Sequence, residues 1–261
     1  MVFTEPDLFL DSDGRPRVLL GVSVNSGSAR LAELAARIGF ETVWVEMEHG
    51  PTDFSAAEAV CQAVEASGGV VAIRVPDGQR CHVLRALEVG ARMVMVPMVN
   101  SVEQAASVVR FGKFPPIGQR GFSSRSRGVD YGLSGVPAFF AEANARTHLF
   151  VQIETLEGVK NLEGICALDG ISGIFIGPGD LSVDLGCSSL TDERLIRTIT
   201  DCICRAKAKG KHAGIMVAPG PLLRAAMDAG CDLVFAGSDI TDLIGSWRRL
   251  LESLRVGGTH P

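Results

Sequence analysis

The chain has 261 residues, of which 46% are hydrophobic and 21% charged, and its formal net charge is −5. This length and apolar content suit one large α/β barrel as well as two small domains. The basic residues do not cluster and no run of 18 apolar residues occurs, so neither nucleic acid nor a membrane is expected as a partner.

Strand-like and helix-like segments alternate along the whole chain. Short β-branched or apolar runs indicate strands, and longer runs that end at glycine indicate helices. The predicted strands are 18–24, 42–47, 70–75, 93–96, 149–153, 174–176, 213–217 and 233–235. The predicted helices are 30–38, 54–66, 79–89, 102–111, 157–168, 192–209, 221–229 and 241–254. Eight such units predict the α/β class and a (β/α)8 TIM barrel, with a doubly wound open sheet as the alternative.

One segment, residues 113–136, interrupts this alternation. It is rich in glycine, serine and arginine, and it is too long for an ordinary connection within a barrel unit. Because it comes after the fourth strand, we expect it at the catalytic rim, with a substrate-covering or interface role; the alternative is an irregular surface insertion. We treat residues 1–261 as one barrel domain with an irregular amino-terminal segment, 1–16.

Cysteine use and the amino terminus bear on the cellular compartment. The seven cysteines are scattered and form no CxxC pair. An odd, scattered set in a chain of this length is typical of reduced thiols. The amino terminus carries acidic residues where a signal peptide needs basic ones. We therefore expect a cytoplasmic protein.

Two predicted strands lead to carboxylates. Glu154 follows the strand at 149–153, and Asp180 lies in the GPGD turn after the strand at 174–176. If these strands are neighbours in a parallel barrel, both acids emerge on the same rim. Hard divalent cations prefer oxygen ligands, and Mg²⁺ usually takes one or two carboxylates and keeps waters. The pair therefore predicts a divalent-metal site.

Two further side chains end strands at the same rim. His49 follows the second strand, at the point where it becomes a loop, and imidazole exchanges protons near neutral pH. Arg74 ends the third strand, where a guanidinium must have a partner. It either pairs with a rim carboxylate or binds an anionic oxygen of a substrate, where fixed donors stabilise developing charge.

The segments QIET at 152–155 and GIFIGPGDLS at 173–182 resemble the metal-binding strands of the HpcH/HpaI aldolase family, and the resemblance extends from about residue 21 to 251. It implies that Glu154 and Asp180 hold a divalent metal, with Mg²⁺, Mn²⁺ and Co²⁺ as the candidates. It also implies a small-molecule substrate, pyruvate or another 2-oxo acid together with an aldehyde.

The same resemblance implies roles for individual residues. His49 matches the catalytic histidine of the family, and Arg74 matches its oxyanion-stabilising arginine. Gln152 matches a glutamine near the bound pyruvate. Gly179 and Asp180 would bind the pyruvate carboxylate through backbone N–H groups, which agrees with a glycine-rich turn acting as an anion-binding nest.

Met216 matches an apolar residue that lines the family's pocket, but three other positions depart from the pattern. Glu46 replaces an aspartate near His49, which could change how the histidine is oriented. Glu88 replaces the aspartate that reaches the site from a neighbouring subunit. Leu19 replaces an active-site tryptophan, so we expect the pocket to lack one aromatic wall.

The resemblance also implies a homo-oligomer, a trimer-based hexamer in which the last helix is swapped between subunits. The predicted helix 241–254 has one apolar face that must be buried against something. The alternative is that this face packs on its own barrel. We predict that Glu88 of one subunit lies within reach of His49 of another.

The predicted function is that of a class II pyruvate aldolase, which makes or cleaves 4-hydroxy-2-oxo acids through a pyruvate enolate. Within the enzyme class, the alternatives are an oxaloacetate decarboxylase and a citrate lyase β-like C–C lyase. From a different class, the chain could be a non-catalytic ligand-binding barrel. Binding of divalent metal by the pure protein distinguishes this last possibility from the enzymes.

Overall fold

The structure is a computed structural model that describes residues 7–133 and 136–256. Its centre is a closed barrel of eight parallel strands in sequential order, so the predicted (β/α)8 fold is confirmed. The strands are β1 Leu19–Val24, β2 Thr42–Glu46, β3 Val70–Arg74, β4 Met93–Val96, β5 His148–Ile153, β6 Gly173–Ile176, β7 His212–Met216 and β8 Leu233–Ser238.

Helices surround the barrel and include two that the sequence patterns did not predict, α5 and α8. The segment predicted as one helix at 157–168 forms two short helices that meet at Asn161. The helices are α1 Ala29–Arg37, α2 Phe54–Glu65, α3 Arg80–Glu88, α4 Val102–Gly112, α5 Val136–Arg146, α6 Leu156–Lys160, α7 Leu162–Cys166, α8 Pro178–Asp184, α9 Glu193–Ala208, α10 Pro221–Asp228 and α11 Asp239–Val256. None of the helices in the described ranges has the length and apolar character to cross a membrane.

The barrel interior is filled by side chains that alternate with those facing the helices, because successive residues of a strand point to opposite faces. Its largest members are aromatic and include Trp44, Phe150, Phe175 and Phe235. Leu19 belongs to this cluster and is 1% exposed at the start of β1, so its replacement of a tryptophan removes no wall from the carboxyl end of the barrel.

The two ends of the barrel differ chemically. Phe9 closes the amino end, where its ring stacks on His212 with centroids 3.7 Å apart and meets the edge of His148 at 5.6 Å. Towards the carboxyl end the same inward-facing positions become polar. For example, Trp44 is followed two residues later by Glu46, and Phe150 by Gln152. The carboxyl end is therefore the end that presents polar groups.

The expectation that residues 113–136 lie at the catalytic rim is wrong. The segment begins at the end of α4, and a chain leaving a barrel helix returns to the amino ends of the strands. Its contacts agree with this position: Lys113 Nζ donates to the carbonyl oxygen of Thr147, just before β5, and Arg120 pairs with Glu88 at the end of α3. Residues 134–135 of this segment lie outside the described residues.

Candidate active site

The buried Glu46 and the partly buried Arg74 form an ion pair at the carboxyl ends of β2 and β3. The two residues are register partners, and the Arg74 Nη2 and Nε atoms lie 2.5 Å and 2.8 Å from Glu46 Oε2. Trp44 Nε1 donates to the same oxygen at 3.2 Å. Burial opposes ionisation of Glu46, but the hydrogen bonds and charge of Arg74 outweigh burial and lower the pKa of Glu46. Arg74 therefore pairs with a rim carboxylate, one of the two expected possibilities.

The second oxygen of Glu46 organises the turn that follows β2. Oε1 accepts hydrogen bonds from the backbone N–H groups of Glu48 at 2.7 Å and His49 at 3.0 Å. The carboxylate thus contacts His49 through its backbone, while the imidazole is 68% exposed and has Glu48 Oε2 at 3.7 Å from Nε2. Glu46 therefore holds the turn after β2 and the Arg74 side chain in place, whereas Glu48 is the carboxylate next to the His49 imidazole.

Glu48 is a site residue that the sequence reasoning missed. Its Oε2 lies 3.1 Å from Arg74 Nη1 and is buried. Burial raises the pKa of Glu48, the nearby carboxylates Glu46 and Asp180 raise it further, and Arg74 and His49 oppose the shift. The sequence feature that could have identified Glu48 is its spacing, because it follows Glu46 by two residues and so continues the inward-facing positions of β2.

Gln152, on the inner face of β5, and Glu154, directly after the strand, are both 2% exposed. Glu154 Oε1 accepts a 2.7 Å hydrogen bond from the backbone N–H of Met98, and Oε2 accepts a long one, 3.3 Å, from Gln152 Nε2. The Gln152 Oε1 atom is buried without a hydrogen-bond partner. Burial raises the pKa of Glu154, and the charges of Asp180 and Glu48 add to this effect.

The GPGD turn forms the start of α8, beside Glu154. A Cβ atom at Gly177 would overlap Glu154 Oε2, so the close approach of strand and turn requires glycine there. Gly179 and Asp180 are exposed in the first turn of the helix, where backbone N–H groups have no carbonyl partner within the helix. Met216 ends β7 and packs partly buried on the interior cluster.

These groups make a site whose negative charge is only partly compensated. Glu48, Glu154 and Asp180 lie close enough to interact electrostatically, and Arg74 is the cation among them. Within residues 7–133 and 136–256, no three His, Cys, Asp or Glu side chains converge tightly enough to hold an ion alone. The donor set fits an open divalent site that takes two carboxylates from the protein and leaves positions for water and substrate.

Glu88 lies apart from this group. It is the last residue of α3, near the amino ends of the strands, and its Oε1 accepts a 2.8 Å hydrogen bond from the buried Arg120. The structure of one chain therefore brings together Glu46, His49, Arg74, Gln152, Glu154, Gly179, Asp180 and Met216 at one end of the barrel and leaves Glu88 outside.

A closed (β/α)8 barrel with ionisable side chains at the carboxyl ends of its strands is the arrangement of barrel enzymes. The family model described as HpcH/HpaI aldolase/citrate lyase matches residues 19–244. The chain belongs to this family, as the sequence resemblance indicated. It is a carbon–carbon lyase of the class II aldolase type, and enzymes of this type generally use a divalent metal.

Similar proteins support this assignment. A hydroxypyruvate/pyruvate aldolase from Roseobacter denitrificans is 33% identical over 250 residues, which cover 95% of this chain and 97% of that protein. A 4-hydroxy-2-oxovalerate aldolase from Novosphingobium aromaticivorans is 36% identical over 226 residues, 85% of this chain and 84% of that protein. The crystal structure of an HpcH/HpaI aldolase from Desulfitobacterium hafniense has a TM-score of 0.87 at 24% identity and covers 94% of each chain, which bears on the fold alone.

Proposed function

We propose that this enzyme joins pyruvate or another 2-oxo acid to an aldehyde and, in reverse, cleaves 4-hydroxy-2-oxo acids. The observation that carries the proposal is that three carboxylates, Glu48, Glu154 and Asp180, lie close together near Arg74, whose closest partner is a fourth carboxylate, Glu46. The similar proteins are named for pyruvate, hydroxypyruvate and 4-hydroxy-2-oxovalerate, which are 2-oxo acids of this kind.

Glu154 and Asp180 would hold the divalent cation, with Mg²⁺, Mn²⁺ and Co²⁺ as candidates. When bound, the cation would supply positive charge beside the carboxylate and keto oxygens of the 2-oxo acid, which makes the neighbouring methyl protons more acidic. Hard carboxylate and amide oxygens suit these metals. The buried, unpartnered Gln152 Oε1 also supports the proposal, since a buried acceptor without a donor is costly in a closed protein interior.

The protein groups would bind and orient the 2-oxo acid around this centre. The backbone N–H groups of Gly179 and Asp180 would bind its carboxylate. Arg74, held rigidly by Glu46, would stabilise negative charge on the keto oxygen as the methyl proton leaves. His49 is exposed beside Glu48 and would assist the proton transfer, and Met216 would form an apolar wall.

The test is an activity screen on 4-hydroxy-2-oxo acids of varied length after chelation, with Mg²⁺, Mn²⁺ or Co²⁺ added back. Glu154→Gln and Asp180→Asn should abolish metal-dependent cleavage without unfolding the protein. Glu157→Gln, an exposed position three residues after Glu154, is the matched control and should leave activity intact. Near-normal activity of either site variant after full chelation would contradict the proposal. Oxaloacetate in the same screen tests the decarboxylase alternative.

We further infer that the enzyme is a trimer-based hexamer with a swapped last helix. In a closed barrel the helix after β8 packs on the outside between its neighbours. Here the main contacts of α11 are with β1 and β8, and its apolar side chains are exposed. These are Ile240, Ile244, Trp247, Leu250, Leu251 and Leu254. Leu34 in α1 and Ile38, directly after it, are also exposed, 53% and 68%, and would offer an apolar surface to a helix from another subunit.

In such an assembly, Glu88 of one subunit would lie within reach of His49 of another. Among the described residues, Arg120 binds Oε1 of Glu88, which would leave Oε2 for the neighbouring site. Light scattering at micromolar concentration measures the assembly. Trp247→Glu should dissociate it, whereas Arg248→Glu, at the next exposed position, should not. A stable, fully active monomer would refute both the assembly and the shared site.

A further inference from the structure

Met98, directly after β4, has a backbone conformation that its residue type does not favour. Its φ angle is 54°, in the left-handed region, where a side chain crowds the backbone. The Met98 side chain is 47% exposed, so packing of this side chain does not account for the conformation. Strained backbone of this kind persists only where surrounding contacts enforce it, and it occurs often at functional sites.

The conformation aims one backbone group at a proposed metal ligand. The N–H of Met98 donates to Glu154 Oε1 at 2.7 Å, and the next N–H, of Val99, donates to the carbonyl oxygen of Gln152 at 3.3 Å. The loop therefore continues the pairing of β4 with β5 beyond the end of β4. A hydrogen bond from a fixed backbone donor leaves the carboxylate little rotational freedom.

Asn100 holds the loop in this conformation through three hydrogen bonds. Its Oδ1 accepts from Thr155 Oγ1 at 2.5 Å, and its carbonyl oxygen accepts from Asn161 Nδ2 at 2.7 Å. Its backbone N–H donates to Gln104 Oε1, also at 2.7 Å. Two of these partners, Thr155 and Asn161, lie in the segment that follows Glu154, so the loop and the strand carrying the carboxylate are fixed to each other.

The other oxygen of Glu154 remains available. Oε2 lies against Gly177, where no side chain fits, and its hydrogen bond from Gln152 Nε2 is long at 3.3 Å. Gly177 leads directly into the turn that carries Asp180. Of the two carboxylate oxygens, Oε2 is therefore the one beside the turn that carries the second proposed metal ligand.

We propose that the backbone N–H of Met98 is a positioning group for Glu154. The left-handed conformation of Met98, held by the hydrogen bonds of Asn100, fixes Oε1 of Glu154, so that Oε2 alone is free to bind the divalent cation. This inference rests on the proposed function, because it takes Glu154 as a metal ligand. Hydrogen bonds that orient a metal ligand typically change metal affinity 10–100-fold when removed.

The direct test replaces the N–H by an oxygen and keeps the side chain. Residue 98 is introduced as an α-hydroxy acid, which replaces the amide by an ester, and the matched control carries the α-amino acid with the same side chain. Binding of Mn²⁺ to the metal-free protein is followed by electron paramagnetic resonance, without substrate or turnover. The ester should bind Mn²⁺ at least 10-fold more weakly than the amide. Binding within two-fold of the amide overturns the proposal.

A second test addresses the hydrogen bonds of Asn100 that hold the loop. Asn100→Ala combined with Asn161→Ala removes two of the three hydrogen bonds, from Thr155 Oγ1 and from Asn161 Nδ2. This double variant should weaken Mn²⁺ binding about 10-fold, and adding Met98→Gly should restore part of it, since glycine adopts positive φ without these hydrogen bonds. Met98→Ala keeps the N–H and should bind Mn²⁺ within two-fold of the natural chain. If the double variant binds normally, or Met98→Gly restores nothing, the role of these hydrogen bonds is refuted. Glu154→Gln distinguishes failure of the proposed metal site from failure of the positioning role. If Glu154→Gln binds Mn²⁺ normally, Glu154 is not a metal ligand and the proposed metal site is wrong. If Glu154→Gln loses Mn²⁺ binding but the ester binds normally, only the positioning role of Met98 is refuted.

Discussion

Replacing Glu46 by glutamine should destabilise the folded enzyme by about 3–5 kcal/mol, the usual cost of removing one charge from a buried ion pair. The Glu46 side chain is 3% exposed and that of Arg74 15%, so solvent screens the pair little. Glutamine keeps an oxygen for the backbone N–H groups of Glu48 and His49. Its amide N–H₂, however, would face the donors of Arg74 and Trp44, and the partly buried guanidinium would lose its closest counter-charge.

Calorimetry at pH 7 measures this loss as a fall in melting temperature. One kcal/mol corresponds to about 2–4 °C in a domain of this size, so the fall should be roughly 6–20 °C. Glu48→Gln is the matched control. It removes a carboxylate with a single 3.1 Å contact to Arg74 and a raised pKa, so its charge stabilises the fold little. We expect a smaller loss for this control than for Glu46→Gln, because removing a carboxylate whose pKa is raised by burial also removes its desolvation cost.

The effect of Glu46→Gln should also depend on pH, with a defined sign. The pKa of Glu46 is lowered in the folded state from its ordinary value of 4.5. The ion pair therefore contributes stability above about pH 4.5 and loses it as the pH falls through the lowered folded value. The difference between the natural chain and the variant should shrink in acid. A loss under about 1 kcal/mol at pH 7, or a difference that does not change in acid, would refute this reasoning.

Three further outcomes are expected. His49→Ala should slow exchange of pyruvate methyl protons in deuterated water roughly 10²–10⁴-fold, and an unchanged rate by NMR would exclude that role. Gly179→Ala should retain Mn²⁺ binding, because nothing beyond its chain neighbours and its own helix backbone lies within 4 Å of the new Cβ. Gly177→Ala should lose Mn²⁺ binding, because its Cβ would overlap Glu154 Oε2. Equal affinities of the two variants in titration would contradict this. Mn²⁺ affinity should fall as the pH is lowered through the raised pKa of Glu154, since metal binding displaces the proton of this carboxyl group. A constant Mn²⁺ affinity down to about pH 4.5 would argue against Glu154 as a metal ligand.

Most strands were predictable because each is a short run of β-branched and apolar residues, and the observed β4, Met93–Val96, has the predicted bounds. The rim position of Arg74 and Glu154 followed from the same pattern, because parallel strands end on one edge. The helices α5 and α8 were not predicted. Helix α8 spans only seven residues and begins in a glycine-rich turn, so it has no periodic pattern to recognise.

The position of residues 113–136 shows a different limit of prediction from the sequence. Composition indicated an unusual segment, but its place depends on the element that precedes it. Since α4 lies between β4 and this segment, the chain has already returned to the amino end of the barrel. The contacts of Lys113 and Arg120 with residues far along the chain then fix it there.

The sequence by itself determined the eight-stranded barrel, the family and the polar residues at the strand ends, because these depend on local periodicity and residue type. Only the tertiary structure decided the partners of each group. Glu46 binds Arg74 and the turn rather than the imidazole of His49, because two adjacent strands bring the carboxylate and guanidinium together in register. Met98 aims its N–H at Glu154 for a related reason: hydrogen bonds from residues up to 61 positions away along the chain hold its loop, and no local pattern encodes such contacts.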